Sequence, residues 1–167
     1  MKYLSVWGSF YWVVPIVIIS IFLVLFLENK RYRTPVLWSM LCIWGVALAY
    51  LLFIYRLPGS KDTGVSLDLF HVYIKATGTD WEANQAWRQI LFNILLYTPL
   101  GCVLMSLVRK IKISIAVGIT ISIVTEALQG ITGLGWTDID DVFNNLIGLL
   151  LGITIYNLQK KVISMRN

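Results

Sequence analysis

Charge is scarce in this chain. Asp, Glu, Lys and Arg make up 14% of its 167 residues, against about 25% in a soluble domain. Histidine occurs once, at His71, with no serine or cysteine beside it, so nothing in the sequence marks a nucleophile. The two cysteines, Cys42 and Cys102, lie inside apolar runs without CxxC or zinc spacing. That excludes a disulfide framework and a zinc module. There is no internal repeat, no low-complexity run and no basic nucleic-acid motif. Nucleic acid is therefore not an expected partner.

What the chain has instead is apolar length. The apolar residues amount to 57%, and the mean hydropathy is +0.74. A soluble core of this size cannot hide so much apolar surface. At about 20 residues per crossing, the chain predicts an all-α, polytopic membrane bundle of about five transmembrane helices. The lipid bilayer is its first expected partner.

The expected spans are Leu4–Leu27, Val36–Tyr55, Ile90–Val108, Ile113–Ile131 and Val142–Leu158. The first is too long for a signal h-region, lacks a small-residue cleavage site and reads as retained. A turn with Lys30, Arg31, Arg33 and Pro35 is expected between the first two. In domain terms, residues 1–55 carry two N-terminal helices, 56–88 an extracellular loop and 89–167 a three-helix core. Pro58–Gly59–Ser60 and Thr77–Gly78–Thr79 are turn signals in the loop. Its Asp80–Arg88 part, with Trp81 and Trp87, predicts an interfacial helix.

Alternating the spans sorts the charges. Lys30, Arg31, Arg33, Arg109, Lys110, Lys112, Lys160, Lys161 and Arg166 fall on one side, and Lys2, Arg56, Lys61, Lys75 and Arg88 on the other. The nine against five place the first group in the cytoplasm. The N-terminus is then outside, the C-terminus inside, and the net charge of +5 becomes an orientation signal. The expected location is the bacterial cytoplasmic membrane, with multiple passes.

The remaining polar residues concentrate in the last three spans. Gly118, Ser122, Glu126 and Gln129 follow steps of four, four and three and share one helical face. Asp141, Asn145, Gly148 and Gly152 follow steps of four, three and four on another. Gly148 and Gly152 form a small-xxx-small pair suited to close helix approach. Asn93, Tyr97 and Gly101 share a third face, and Pro99 is expected to kink the helix or free a carbonyl. Facing these stripes together gathers Arg88, Asn93, Glu126, Gln129, Asp138, Asp141 and Asn145 near the outer leaflet. Gly130, Gly133 and Gly135 allow a tight turn or a close approach. His71 reads as an ordinary exposed loop residue.

An ionisable group at membrane depth is a functional candidate by default. Glu126, Asp138 and Asp141 are the candidate acid–base groups. Arg88, Asn93, Gln129 and Asn145 are the candidate substrate-binding groups. Asp138, Asp140 and Asp141 offer hard oxygen ligands for a divalent cation. The same residues also fit interhelical packing and helix-start acids.

Three segments together resemble the VanZ-like family of bacterial membrane proteins. They are Arg88–Gln–Ile–Leu–Phe–Asn93 with Pro99 and Gly101, then Glu126–Ala–Leu–Gln129, then Thr137–Asp138–Ile–Asp140–Asp141 with Asn145, Gly148 and Gly152. The resemblance covers about Ser66–Gly152. Its order and spacing are fairly specific, although each segment alone is weak. Ser66–Leu–Asp–Leu–Phe70 stands where the family often has Asn-Leu-x-Pro-Phe, and Trp136 where it often has Arg. The family's namesake is associated with low-level teicoplanin resistance, which implies a role around the cell envelope.

Four classes of function follow. One is action at the outer membrane face on the envelope, with glycopeptide resistance. Another is a membrane-embedded enzyme acting on a lipid-linked envelope precursor. A third is binding or transport of a lipid or glycopeptide without turnover. The last is a structural partner protein.

Overall fold

The computed structural model describes residues 18–21, 30–49, 64–133 and 136–166. Helix α1 covers Lys30–Ala49. Strand β1 (Gly64–Ser66) and the short helix α2 (His71–Ala76) follow. Then come the long helices α3 (Trp81–Val108) and α4 (Ile111–Thr132), strand β2 (Trp136–Asp138) and helix α5 (Ile139–Arg166). Among the described residues, three helices are long and apolar enough to cross a membrane: α3, α4 and α5. Most of the first expected span and the end of the second, past Ala49, lie outside the described residues.

The basic turn expected at Lys30–Pro35 is helical from Lys30 onward. Asp80–Arg88 is not a separate interfacial helix; it forms the N-cap and first turns of α3. Asp80 explains this. Its side chain accepts the Ala83 amide at 2.9 Å, satisfying one of the unpaired donors of a helix start. The α3 helix then runs unbroken through Pro99 to Arg109, which caps it in the left-handed conformation at φ 55. Pro99 removes the donor for the Leu95 carbonyl. Trp44 of α1 donates to the neighbouring carbonyl of Leu96 at 2.9 Å. At the end of α4, Gly133 takes φ 64, and its amide returns to Gln129 and Gly130. Glycine adopts this left-handed cap without a Cβ penalty.

The packing follows the small residues. A Cβ on Gly148 would collide with the Ile94 carbonyl, and one on Gly152 with the Thr98 carbonyl. Helices α3 and α5 therefore run parallel and touch through their backbones, their interface the most extensive in the fold. Cys102 Sγ donates to the Gly152 carbonyl at 3.1 Å across it. The α4 helix runs antiparallel to both. Its Gly118 leaves room for Leu149, and its Ser122 meets Asn145. The α1 helix lies antiparallel along α3, with Arg33 near Ser106 and Trp44 near Leu96. Leu37, Leu96, Tyr97, Leu100, Leu149 and Tyr156 belong to the shared core.

One feature departs from an all-α bundle. Strands β1 and β2 pair in parallel, with Gly64 opposite Trp136, Val65 opposite Thr137 and Ser66 opposite Asp138. Segments this short leave no alternation to read, and the partners lie far apart in sequence. The sheet straps the loop before α2 onto the start of α5. A small second core of Val72, Ala76, Ala86 and Ile90 seats α2 against α3.

Candidate functional site

The acids collect at the end of the bundle where α4 finishes and α5 begins. Both α4 and α5 contribute through the faces read from sequence, and β2 supplies Asp138. Glu126, Gln129, Asp138, Asp140, Asp141, Asn144 and Asn145 are all buried there. Burying carboxylates is costly unless donors meet them, and donors are present.

Glu126 Oε2 accepts the backbone amide of Asp138 at 3.2 Å, while Thr137 Oγ1 donates to the Glu126 carbonyl at 3.1 Å. These two bonds hold β2 against α4. Gly130 permits the approach, because a Cβ there would run into Thr137 Oγ1. Asp141 Oδ1 accepts from Gln89 Nε2 at 2.8 Å and Asn93 Nδ2 at 2.5 Å. Asn145 Nδ2 donates to Ser122 Oγ at 2.9 Å. The polar stripes of α3, α4 and α5 therefore do face one another. Arg88 is half-buried on α3, one residue before Gln89, and is itself engaged, as is Gln129.

Asp140 has a different task. Fully buried, it accepts the Phe70 amide at 2.6 Å on one oxygen and the Val72 amide at 2.9 Å on the other. It thereby caps the start of α2 from across the fold. Phe70 sits there at φ 70, a conformation that costs a non-glycine residue about 1–3 kcal/mol. The two bonds to Asp140 and the edge-on packing of Phe70 against Tyr73 and Phe143 offset that cost. Burial and the Asp140 charge push the Tyr73 phenol up. At neutral pH it therefore keeps the proton it donates to Asn144.

His71 is not an ordinary exposed loop residue. Its Nε2 lies 3.4 Å from Asp138 and its Nδ1 3.1 Å from Asp140, with a quarter of the side chain exposed. Burial pushes the Asp138 carboxyl up, while the Asp140 amide, the His71 ring and Gln89 pull it back and the Asp140 charge adds to the rise. Asp138 thus holds a proton more readily than a solvated aspartate.

Among the described residues, the ligand atoms that converge within 4.8 Å belong to His71, Asp138 and Asp140. The trio expected from sequence was Asp138, Asp140 and Asp141. Asp141 instead turns toward Gln89 and Asn93, one helical step away from its neighbour's direction. In the converging trio, Asp140 already accepts two backbone amides and Asp138 Oδ1 accepts the Asp140 amide at 2.9 Å. A divalent cation would compete with these donors for the same carboxylates. The arrangement fits an imidazole clamped between two carboxylates.

His71, Gln89, Tyr73 and Asn144 were not among the expected site residues. Gln89 lies four residues before Asn93, on the same face of α3, and that spacing was the available signal. For His71 only the proximity of β1 to β2 could have revealed the role. Trp136 lies on β2, and Gly135 lies outside the described residues.

Chemically, one end of the bundle presents several buried acids, among them Asp138 with its raised proton affinity, together with fixed amides and an imidazole at the rim. Such a set can bind polar or hydroxyl-rich groups and move a proton.

A family model described as VanZ/LLP1 matches residues 36–160. The chain is 29% identical over 120 residues to Protein VanZ of Enterococcus faecium, covering 70% of this chain and 74% of that protein. No solved structure matches it. The three spanning-length helices and the family match agree on a membrane protein: the chain belongs to the VanZ/LLP1 family.

Proposed function

We propose that this VanZ-like membrane protein lowers susceptibility to glycopeptide antibiotics of the teicoplanin type by acting on the cell envelope. The action takes place at the outer face of the cytoplasmic membrane. The chain crosses that membrane several times, with its N-terminus outside and its C-terminus inside. The carrying observation is the convergence of buried Glu126, Asp138 and Asp141 with Gln89, Asn93, Gln129 and Asn145 at one end of three spanning-length helices. The basic residues Arg33, Arg109 and Lys110 lie toward the other end, which supports an outward direction for the acids.

In this reading Glu126, Asp138 and Asp141 are the proton-handling groups. Arg88, Asn93, Gln129 and Asn145 hold the polar groups of a lipid-linked envelope precursor or of the glycopeptide itself. The test is expression of the full chain in a glycopeptide-susceptible bacterium, beside an empty vector. The minimum inhibitory concentration of teicoplanin should rise several-fold. An unchanged value at verified membrane expression would overturn the resistance role.

A further inference from the structure

The end of the bundle away from the acids has its own feature. Helix α1 packs on α3, and α3 packs on α4, but α1 and α4 hardly touch. Between them runs a groove of about 750 Å³, within the size range of ligand sites. Leu37, Leu41 and Trp44 of α1, Leu104 of α3, and Val117 and Ile121 of α4 line it. Arg33, Ser106 and Arg109 also line it, toward the end where α3 gives way to α4.

Arg33 is half-buried, yet its described partners are neutral. Its Nη2 donates to Ser106 Oγ and to Tyr156 Oη, each at 3.0 Å, and its guanidinium carbon lies 5.9 Å from the Tyr156 ring centroid. A guanidinium carries five donors, and these two hydroxyls engage only one nitrogen. Arg109, Lys110 and Lys112 stand exposed at the same end. Among the described residues, α1 contains no Asp or Glu, and neither do α3 after Glu82, α4 before Glu126 or α5 after Asp141. Cations thus gather at the mouth of an apolar groove where the described helices supply no carboxylate.

Arginine binds phosphate through paired, charge-assisted hydrogen bonds. Basic pockets between membrane helices take anionic headgroups. We propose that this groove binds an anionic glycerophospholipid. Its phosphate sits on Arg33 and Arg109, and one acyl chain lies along Leu37, Leu41, Leu104 and Ile121. The inference does not depend on the function proposed above, because it uses the opposite end of the bundle.

The test uses the full chain, purified in detergent and stripped of lipid. Phosphatidylglycerol or phosphatidylcholine is added, and binding is followed by native mass spectrometry and by thermal melting. Phosphatidylglycerol should bind and raise the melting temperature, with phosphatidylcholine several-fold weaker. Arg33→Gln keeps a donor for the two hydroxyls but loses the charge. It should weaken phosphatidylglycerol at least about tenfold, the worth of one charged hydrogen bond. Val117→Trp, which fills the groove from a lipid-exposed position, should weaken both lipids. Should Arg33→Gln fail to fold, Arg109→Gln and Val117→Trp carry the comparison. Equal binding of the two lipids would overturn the proposal. So would unaltered binding in the folded variants, or no binding because a segment of the chain itself or a second copy fills the groove.

Discussion

Glu126→Gln should return teicoplanin susceptibility to that of cells without the protein, at unchanged expression. Glutamine has nearly the same volume and keeps a side-chain oxygen, so the Asp138 amide retains the acceptor that Glu126 Oε2 now provides at 3.2 Å. The strap between α4 and β2 survives, while the charge and the exchangeable proton are lost. A hydrogen bond to a charged group is worth about 1.5–3 kcal/mol, or roughly tenfold to a hundredfold in affinity. If Glu126 also transfers a proton, the loss in rate is larger, about a hundredfold or more. Susceptibility testing beside quantified membrane protein separates this from misfolding. A variant as protective as the parent would remove Glu126 from the site.

Gly152→Leu should prevent the protein from accumulating as a folded, monodisperse species in detergent. At Gly152 the backbones of α3 and α5 meet, and a Cβ would strike the Thr98 carbonyl and the Cys102 amide. Neither atom belongs to a side chain that can swing away. The helices would have to separate along an interface that also depends on Gly101 and Gly148. Overpacking at a side-chain contact costs about 1–3 kcal/mol. A collision with fixed backbone belongs among the rare substitutions above about 4 kcal/mol. Gly45→Ala is the control. Among the described residues, nothing lies within 4 Å of a Cβ placed there, and α1 gains a better helix former. Size-exclusion profiles and thermal melts of the two variants check the contrast.

Both predictions rest on residues visible in the sequence. The stripe from Asp141 through Asn145 to Gly152 announced one face of α5, and the structure places its polar part against Asn93 and Ser122 and its small part against α3. Helical spacing reveals such a face because it is a property of one element. Contacts between distant segments leave no such trace. His71 is unremarkable until β1 pairs with β2 and brings it to Asp138 and Asp140. Asp140 shared a motif with Asp138 and Asp141, but its two oxygens serve the amides of Phe70 and Val72. The three acids of this motif thus divide at the strand-to-helix junction: Asp138 and Asp140 flank His71, while Asp141 turns to Gln89 and Asn93. The charge asymmetry was legible as a count. Its further consequence at Arg33 emerged only when α1 was set beside α3 and α4.

The most direct test is the side of the membrane on which the acid-rich end lies. Thr79 is exposed in the turn between α2 and α3, at that end of the bundle. Cys42 is exposed and Cys102 buried, so Thr79→Cys in a Cys42→Ser background gives a single reactive thiol. A membrane-impermeant maleimide should label it in intact cells that retain their cytoplasmic membrane. Labelling that appears only after that membrane is permeabilised would put Glu126, Asp138 and Asp141 toward the cytoplasm and contradict action at the outer face.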